Sequence, residues 1–207
     1  MTPELFEDIC RSALGHRTSQ EQTYDLARNM LERGVPGDFV ECGVFAGSSA
    51  ALMAFALGEY NATAAGAGWA KSSAHVHLFD SFQGIPPLGP HDDPSQVRAG
   101  AAACSLEDCK GNMRRWGVPE ELLVWHPGWF GETVPQAAKE LAAVNRQIAL
   151  LRLDGDLYDS TAVCMKHLYP LVSKGGYVIV DDYDLHGARY AVHETVMPAP
   201  VAWRKWT

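Results

Sequence analysis

Ile148-Ala149-Leu150-Leu151-Arg152-Leu153-Asp154-Gly155-Asp156-Leu157-Tyr158-Asp159 is a hydrophobic run that ends abruptly in carboxylates. Its first half reads as a strand buried on both faces, the pattern of a parallel sheet. A second run has the same form: Tyr177-Val178-Ile179-Val180 stops at Asp181-Asp182-Tyr183. Acids at the C-terminal ends of such strands fall in the crevice where open α/β sheets bind ligands. Neighbouring strands lie about 5 Å apart, so up to four carboxylates converge if these two adjoin. Like charges at that range are tolerated only when protonated, solvated or bridged by a cation. A hard divalent ion on oxygen ligands is the economical reading of the three.

Working outward, strands and helices alternate. Phe39-Val40-Glu41-Cys42-Gly43, Val76-His77-Leu78-Phe79-Asp80 and Leu122-Leu123-Val124-Trp125-His126 read as three further strands. Helices are expected from Ser48 to Leu57, after Ser105, from a cap at Thr133-Val134-Pro135-Gln136 to about Ala143, and from Ser160 to Val172. Val201–Trp206 reads as a closing strand. The pattern predicts an α/β fold, doubly wound, with a mostly parallel sheet and helices on both faces. One domain over 1–207 accommodates it, with a helical extension at 1–35 in which Thr18 and Glu21 resemble a capping box. The Ala/Gly-rich span 61–73 reads as a connection. The Pro/Gly/Asp-rich span 85–100 leaves the same sheet edge as the acids and reads as a candidate lid loop.

Composition narrows the function. Asp and Glu number 25 against 17 Lys and Arg, with no basic cluster, so neither nucleic acid nor an anionic membrane is an expected partner. No run of 18 apolar residues occurs, and the polar N-terminus lacks the regions of a signal peptide. Five cysteines without CxxC spacing read as free or buried thiols in a reducing cytoplasm. His75 and His77 alternate along a strand and face one side of the sheet.

A second site lies in Glu41-Cys42-Gly43-Val44-Phe45-Ala46-Gly47-Ser48-Ser49. Gly43 and Gly47 permit close backbone approach, and the helix that follows offers unpaired N–H groups to a carboxylate or phosphate. The spacing is GxxxG rather than GxGxxG, and a tight turn without a ligand also explains it. Asp80, ending its strand, suits both hydroxyls of a ribose; turn formation is its alternative reading.

With Asp154–Thr161, Lys174–Tyr183 and Pro36–Val44, the chain resembles the macrocin O-methyltransferase family. Asp80-Ser81-Phe82-Gln83-Gly84-Ile85-Pro86 matches a further family segment, with Gln83 in place of Glu, and Pro127–Phe130 and Trp203–Lys205 look like landmarks. The segment between Glu194 and Trp203 is shorter than the family pattern. The resemblance implies an S-adenosyl-L-methionine- and Mg2+-dependent enzyme that methylates a hydroxyl of a small natural product, often on a deoxysugar, in antibiotic biosynthesis. It also implies the roles. Asp154, Asp181 and Asp182 are metal ligands, and Asp156 is the general base; read from position rather than from the resemblance, His186, four residues beyond Asp182, is a rival base, with a surface-loop histidine as its alternative reading. Glu41, Gly43, Phe45, Gly47, Ser48, Asp80, Ser81 and Trp129 form the cofactor site, although Trp129 also reads as a packing residue. A homo-oligomer acting on a small hydroxylated acceptor is expected. A catechol-type phenolic methyltransferase and a non-catalytic cofactor-binding oligomer partner are the alternatives.

Overall fold

The computed structural model describes residues 1–67 and 71–196. Five strands, β1 (Asp38–Cys42), β2 (Val76–Asp80), β3 (Leu123–Pro127), β4 (Ile148–Leu153) and β5 (Val172–Val180), pair in the order β3-β2-β1-β4-β5. Every pairing is parallel. β1 and β4, buried along their whole length, are the central pair. The strand order reverses between them, so their C-terminal ends open the crevice that such sheets use for ligands.

Helices cover both faces, as the alternating side chains of the strands require. Phe39, Leu78 and Leu150 pack with α1 (Pro3–Cys10), α2 (Arg17–Glu32), α3 (Ser48–Ala67) and α4 (Leu106–Trp116). Val40, Phe79 and Leu151 pack with α5 (Phe130–Ala143), α6 (Tyr158–Leu168) and α7 (His186–Val196). The chain is thus doubly wound, as expected.

Several boundaries differ from the expectation. α3 runs to Ala67, ten residues past Leu57, because its alanines favour helix strongly. The capping box at Thr18 does not form: α2 starts at Arg17 behind His16, and Glu21 accepts from Arg17 Nε at 2.8 Å. α5 opens one turn early, at Phe130, with Pro135 inside it. α6 starts at Tyr158 rather than Ser160. β5 begins at Val172 rather than Tyr177, with Gly175 (φ 86°) inside the register shift between its two paired segments. The expected strand at Val201–Trp206 lies outside the described residues.

The opposite edge of the sheet is closed by a polar chain. Arg146 forks onto Asp38 at 2.7 and 2.8 Å, and His77 sits 3.3 Å from Asp38 and 2.9 Å from His126. Burial alone would raise the Asp38 carboxyl, but His77 and Arg146 outweigh it and hold its pKa at about 2. Burial, then the neighbouring His77, push His126 down to about 4. The five cysteines are free thiols. No helix among the described residues is long and apolar enough to cross a membrane.

Candidate active site

The ends of β1, β2, β4 and β5 open into a cleft of about 290 Å3. Hydrogen bonds along the strand ends bring the acids together: the Asp154 N–H donates to the Cys42 carbonyl at 2.8 Å, and the Asp181 N–H to the Leu153 carbonyl at 2.9 Å. Asp154, Asp181 and Asp182 each present a carboxylate oxygen within 4.8 Å of the others. Asp156 joins them from a left-handed backbone position (φ 60°), its N–H donating to Asp182 Oδ2 at 2.8 Å.

One guanidinium organises this charge. Arg152, 1 % exposed, donates to Asp154 Oδ2 (2.6 Å), to Asp181 Oδ1 (2.9 Å) and to Glu41 Oε1 (3.3 Å). Burial opposes its charge, but Asp154, Glu41 and Asp181 hold it protonated. Ser19 Oγ on α2 also donates to Asp181 Oδ1, at 2.6 Å. Each of the three acids keeps an oxygen that accepts from none of these donors. Burial raises Asp156 to about 6, with Asp154 and Asp181 adding to it, and lifts Asp182 well above the carboxylate range. A set of all-oxygen donors with more negative charge than one guanidinium offsets fits a hard divalent cation such as Mg2+.

The glycine turn meets this cluster. Gly43 (φ 95°) lies so close to Asp154 that a Cβ would fall 1.7 Å from its carbonyl oxygen. Asp80 pins the turn: Oδ2 accepts from Val44 N at 2.8 Å and Phe45 N at 2.9 Å, and Oδ1 from Phe82 N at 2.7 Å. The turn-forming reading of Asp80 is therefore realised, and a ribose contact falls to what remains of its acceptor capacity. Ser48, the first residue of α3, is 4 % exposed, and its Oγ has no partner among the described residues. A helix N-terminus with a spare hydroxyl fits the carboxylate end of an adenosyl amino acid.

Gly43, Phe45, Ser48, Asp80, Ser81, Trp129, Asp154, Asp156, Asp181 and Asp182 all line the cleft. Three expected residues do not. Glu41 is fully buried behind Arg152, and its Oε1 also accepts from Ser49 Oγ. Burial raises its pKa to about 8. Gly47 faces α4, where a Cβ would meet Met113 Cε at 2.6 Å. His186 is exposed at the start of α7, its Nδ1 3.2 Å from the His91 carbonyl. The span 85–100 makes polar contacts with α6 and α7. Asp92 Oδ1 accepts from Tyr158 N at 2.8 Å, capping α6, and Gln96 Oε1 from His186 N at 3.2 Å. Sequence reasoning missed Ser19, Gln20 and Arg152. Only Arg152 carried a signal, a lone cation inside an apolar strand.

The family profile of Macrocin-O-methyltransferase (TylF) matches residues 9–197. The 8-demethyl-8-(2,3-dimethoxy-alpha-L-rhamnosyl)-tetracenomycin-C 4'-O-methyltransferase of Streptomyces olivaceus is 37% identical over 80% of this chain and 60% of its own length. Mycinamicin III 3''-O-methyltransferase of Micromonospora griseorubida is 34% identical over 79% of this chain and 62% of its own. The solved structure of the O-methyltransferase NovP superposes with a TM-score of 0.72 at 32% identity, over 88% of this chain and 72% of that one. The chain thus spans about 60% of the length of the curated relatives it matches.

Proposed function

The chain belongs to the macrocin-O-methyltransferase (TylF) family, and from that premise we propose that it transfers a methyl group from S-adenosyl-L-methionine to a sugar hydroxyl of a small natural product, with Mg2+. The observation that carries the reading is the convergence of Asp154, Asp181 and Asp182 beside the turn of Gly43. Methyl acceptor and methyl donor would then share one cleft, as an in-line displacement needs.

Asp154, Asp181 and Asp182 would hold the cation. When bound there, a divalent ion lowers the pKa of a coordinated hydroxyl and orients it. Asp156 is the base. Its pKa of about 6 leaves it mostly ionised at neutral pH, yet basic enough to take the hydroxyl proton. The Asp182 carboxylate on its N–H fixes the backbone that carries it. The proton passes to an Asp156 oxygen as the C–O bond forms, and the C–S electron pair returns to sulfur. His186, turned to the His91 carbonyl and off the cleft wall, is not needed for this step. Arg152 keeps one oxygen each of Asp154 and Asp181 engaged, so the acids hold their spacing. Ile85 and Pro86 line the cleft at the root of the 85–100 loop, and closure there would exclude water from the displacement.

Mass spectrometry of the full chain incubated with S-adenosyl-L-methionine, Mg2+ and a panel of natural-product glycosides and catechols tests the reading. Methylation of a sugar hydroxyl that stops in EDTA is expected. Methylation of catechols alone, or turnover indifferent to EDTA, would refute it.

A further inference from the structure

We infer that α2 belongs to the methyl-donor site, and that its Gln20 reads the amino-acid end of the donor. The inference rests on the donor assigned above. Gln20 lines the cleft, is only 2 % exposed, and its Oε1 has no hydrogen-bond partner among the described residues. A buried carboxamide oxygen without a partner is unfavourable, and at a cleft wall a bound ligand is the group placed to satisfy it.

The turn of α2 that carries Gln20 is held against the acids. Its neighbour Ser19 donates to Asp181 Oδ1 at 2.6 Å, and Thr23 Oγ1 donates to the Ser19 carbonyl at 2.9 Å. The link before α2 is equally close: a Cβ on Gly15 would lie 3.7 Å from Asp181 Oδ2. α2 also packs along α3, whose first residue supplies a second unpartnered atom of the lining, Ser48 Oγ; Arg152 Nε is a third, on the side of the acids.

The chemistry of Gln20 and Ser48 is complementary to an α-amino acid. The start of α3 favours a carboxylate through its unpaired N–H groups and dipole, with the Ser48 hydroxyl as an extra donor. A carboxamide combines an acceptor with two donors. Gln20 can therefore accept from an ammonium through Oε1 and donate to the adjoining carboxylate through Nε2.

Calorimetric titration of the full chain with S-adenosylhomocysteine and with 5′-methylthioadenosine separates the possibilities, because the second ligand keeps the nucleoside and thioether but lacks the amino-acid end. Gln20→Met retains length and volume without polar atoms. It should weaken S-adenosylhomocysteine about tenfold, the scale of one or two lost hydrogen bonds, and leave 5′-methylthioadenosine unchanged. Gln20→Glu, which loses the amide donor and sets a charge against the carboxylate, should show the same selectivity. Equal weakening of both ligands would mean packing alone, and unchanged S-adenosylhomocysteine affinity would remove Gln20 from the site; either overturns the inference. A wild-type chain that binds neither ligand would overturn the donor reading, and the role of Gln20 with it.

Discussion

Replacing Arg152 by Met should destabilise the protein substantially, and in a way that a divalent cation partly reverses. The guanidinium is 1 % exposed and donates to Asp154, Asp181 and Glu41 at 2.6, 2.9 and 3.3 Å. Removing one partner of a buried ion pair costs about 3–5 kcal/mol, because the remaining charge is left without compensation. Two features place this case at the low end. Asp154 and Asp181 keep 32 % and 22 % of their side-chain surface in solvent, and Glu41, with a pKa near 8, can carry a proton at neutral pH. A loss of about 3 kcal/mol corresponds to a thermal midpoint lower by about 6–12 °C for a chain of this size. Arg152→Lys should recover less than half of it, since an ammonium cannot fork across three carboxylates. Differential scanning calorimetry with and without Mg2+ reads both effects. The variant should gain more from the cation than the wild type does, because the acids have lost their internal counter-charge. An Arg152→Met midpoint within about 2 °C of wild type, or one indifferent to Mg2+, would refute the reasoning.

Four further substitutions have expected outcomes. Gly43→Ala sets a Cβ 1.7 Å from the Asp154 carbonyl oxygen at a φ of 95° and should cost about 4 kcal/mol or more by urea unfolding. Gly47→Ala, against the flexible end of Met113, should cost clearly less. His126 has its pKa pushed down to about 4, below its ordinary 6.5, so its contribution to stability is present above pH 6.5 and lost as pH falls through 4. His126→Phe should therefore flatten the fall in thermal midpoint between those values, and an unchanged slope would assign that fall to other groups. Asp92→Ala removes the cap on Tyr158 N and should cost about 1 kcal/mol while speeding hydrogen exchange across 85–100; exchange as slow as in the wild type would show that this carboxylate does not hold the loop.

The sheet was legible because parallel strands buried on both faces read as unbroken apolar runs. β2 runs over Val76–Asp80 as read, and β4 over Ile148–Leu153. The acid cluster was legible for the same reason, since strand ends fix where Asp154, Asp181 and Asp182 fall. What stayed hidden depends on contacts distant in sequence. Ser19 reaches Asp181 across 162 positions and Asp92 caps α6 across 66, and no local pattern announces either. The contacts of the 85–100 span were hidden because its prolines and glycines offer few apolar anchors. Its anchors are instead the polar groups of Asp92 and Gln96, with the His91 ring 4.4 Å from that of Tyr158. His186 drew notice as a titratable residue just past the acids, but the first turn of α7 carries it away from the cleft.

A cation held by Asp154, Asp181 and Asp182 is the centre of the proposed reaction. The direct measurement is calorimetric titration of Mg2+ into the full chain saturated with S-adenosylhomocysteine, for wild type and for Asp182→Asn. One ion per wild-type chain and no measurable binding to the variant are expected, with S-adenosylhomocysteine affinity nearly unchanged in both. Equal Mg2+ binding by the two proteins, or none by the wild type, would contradict the proposal.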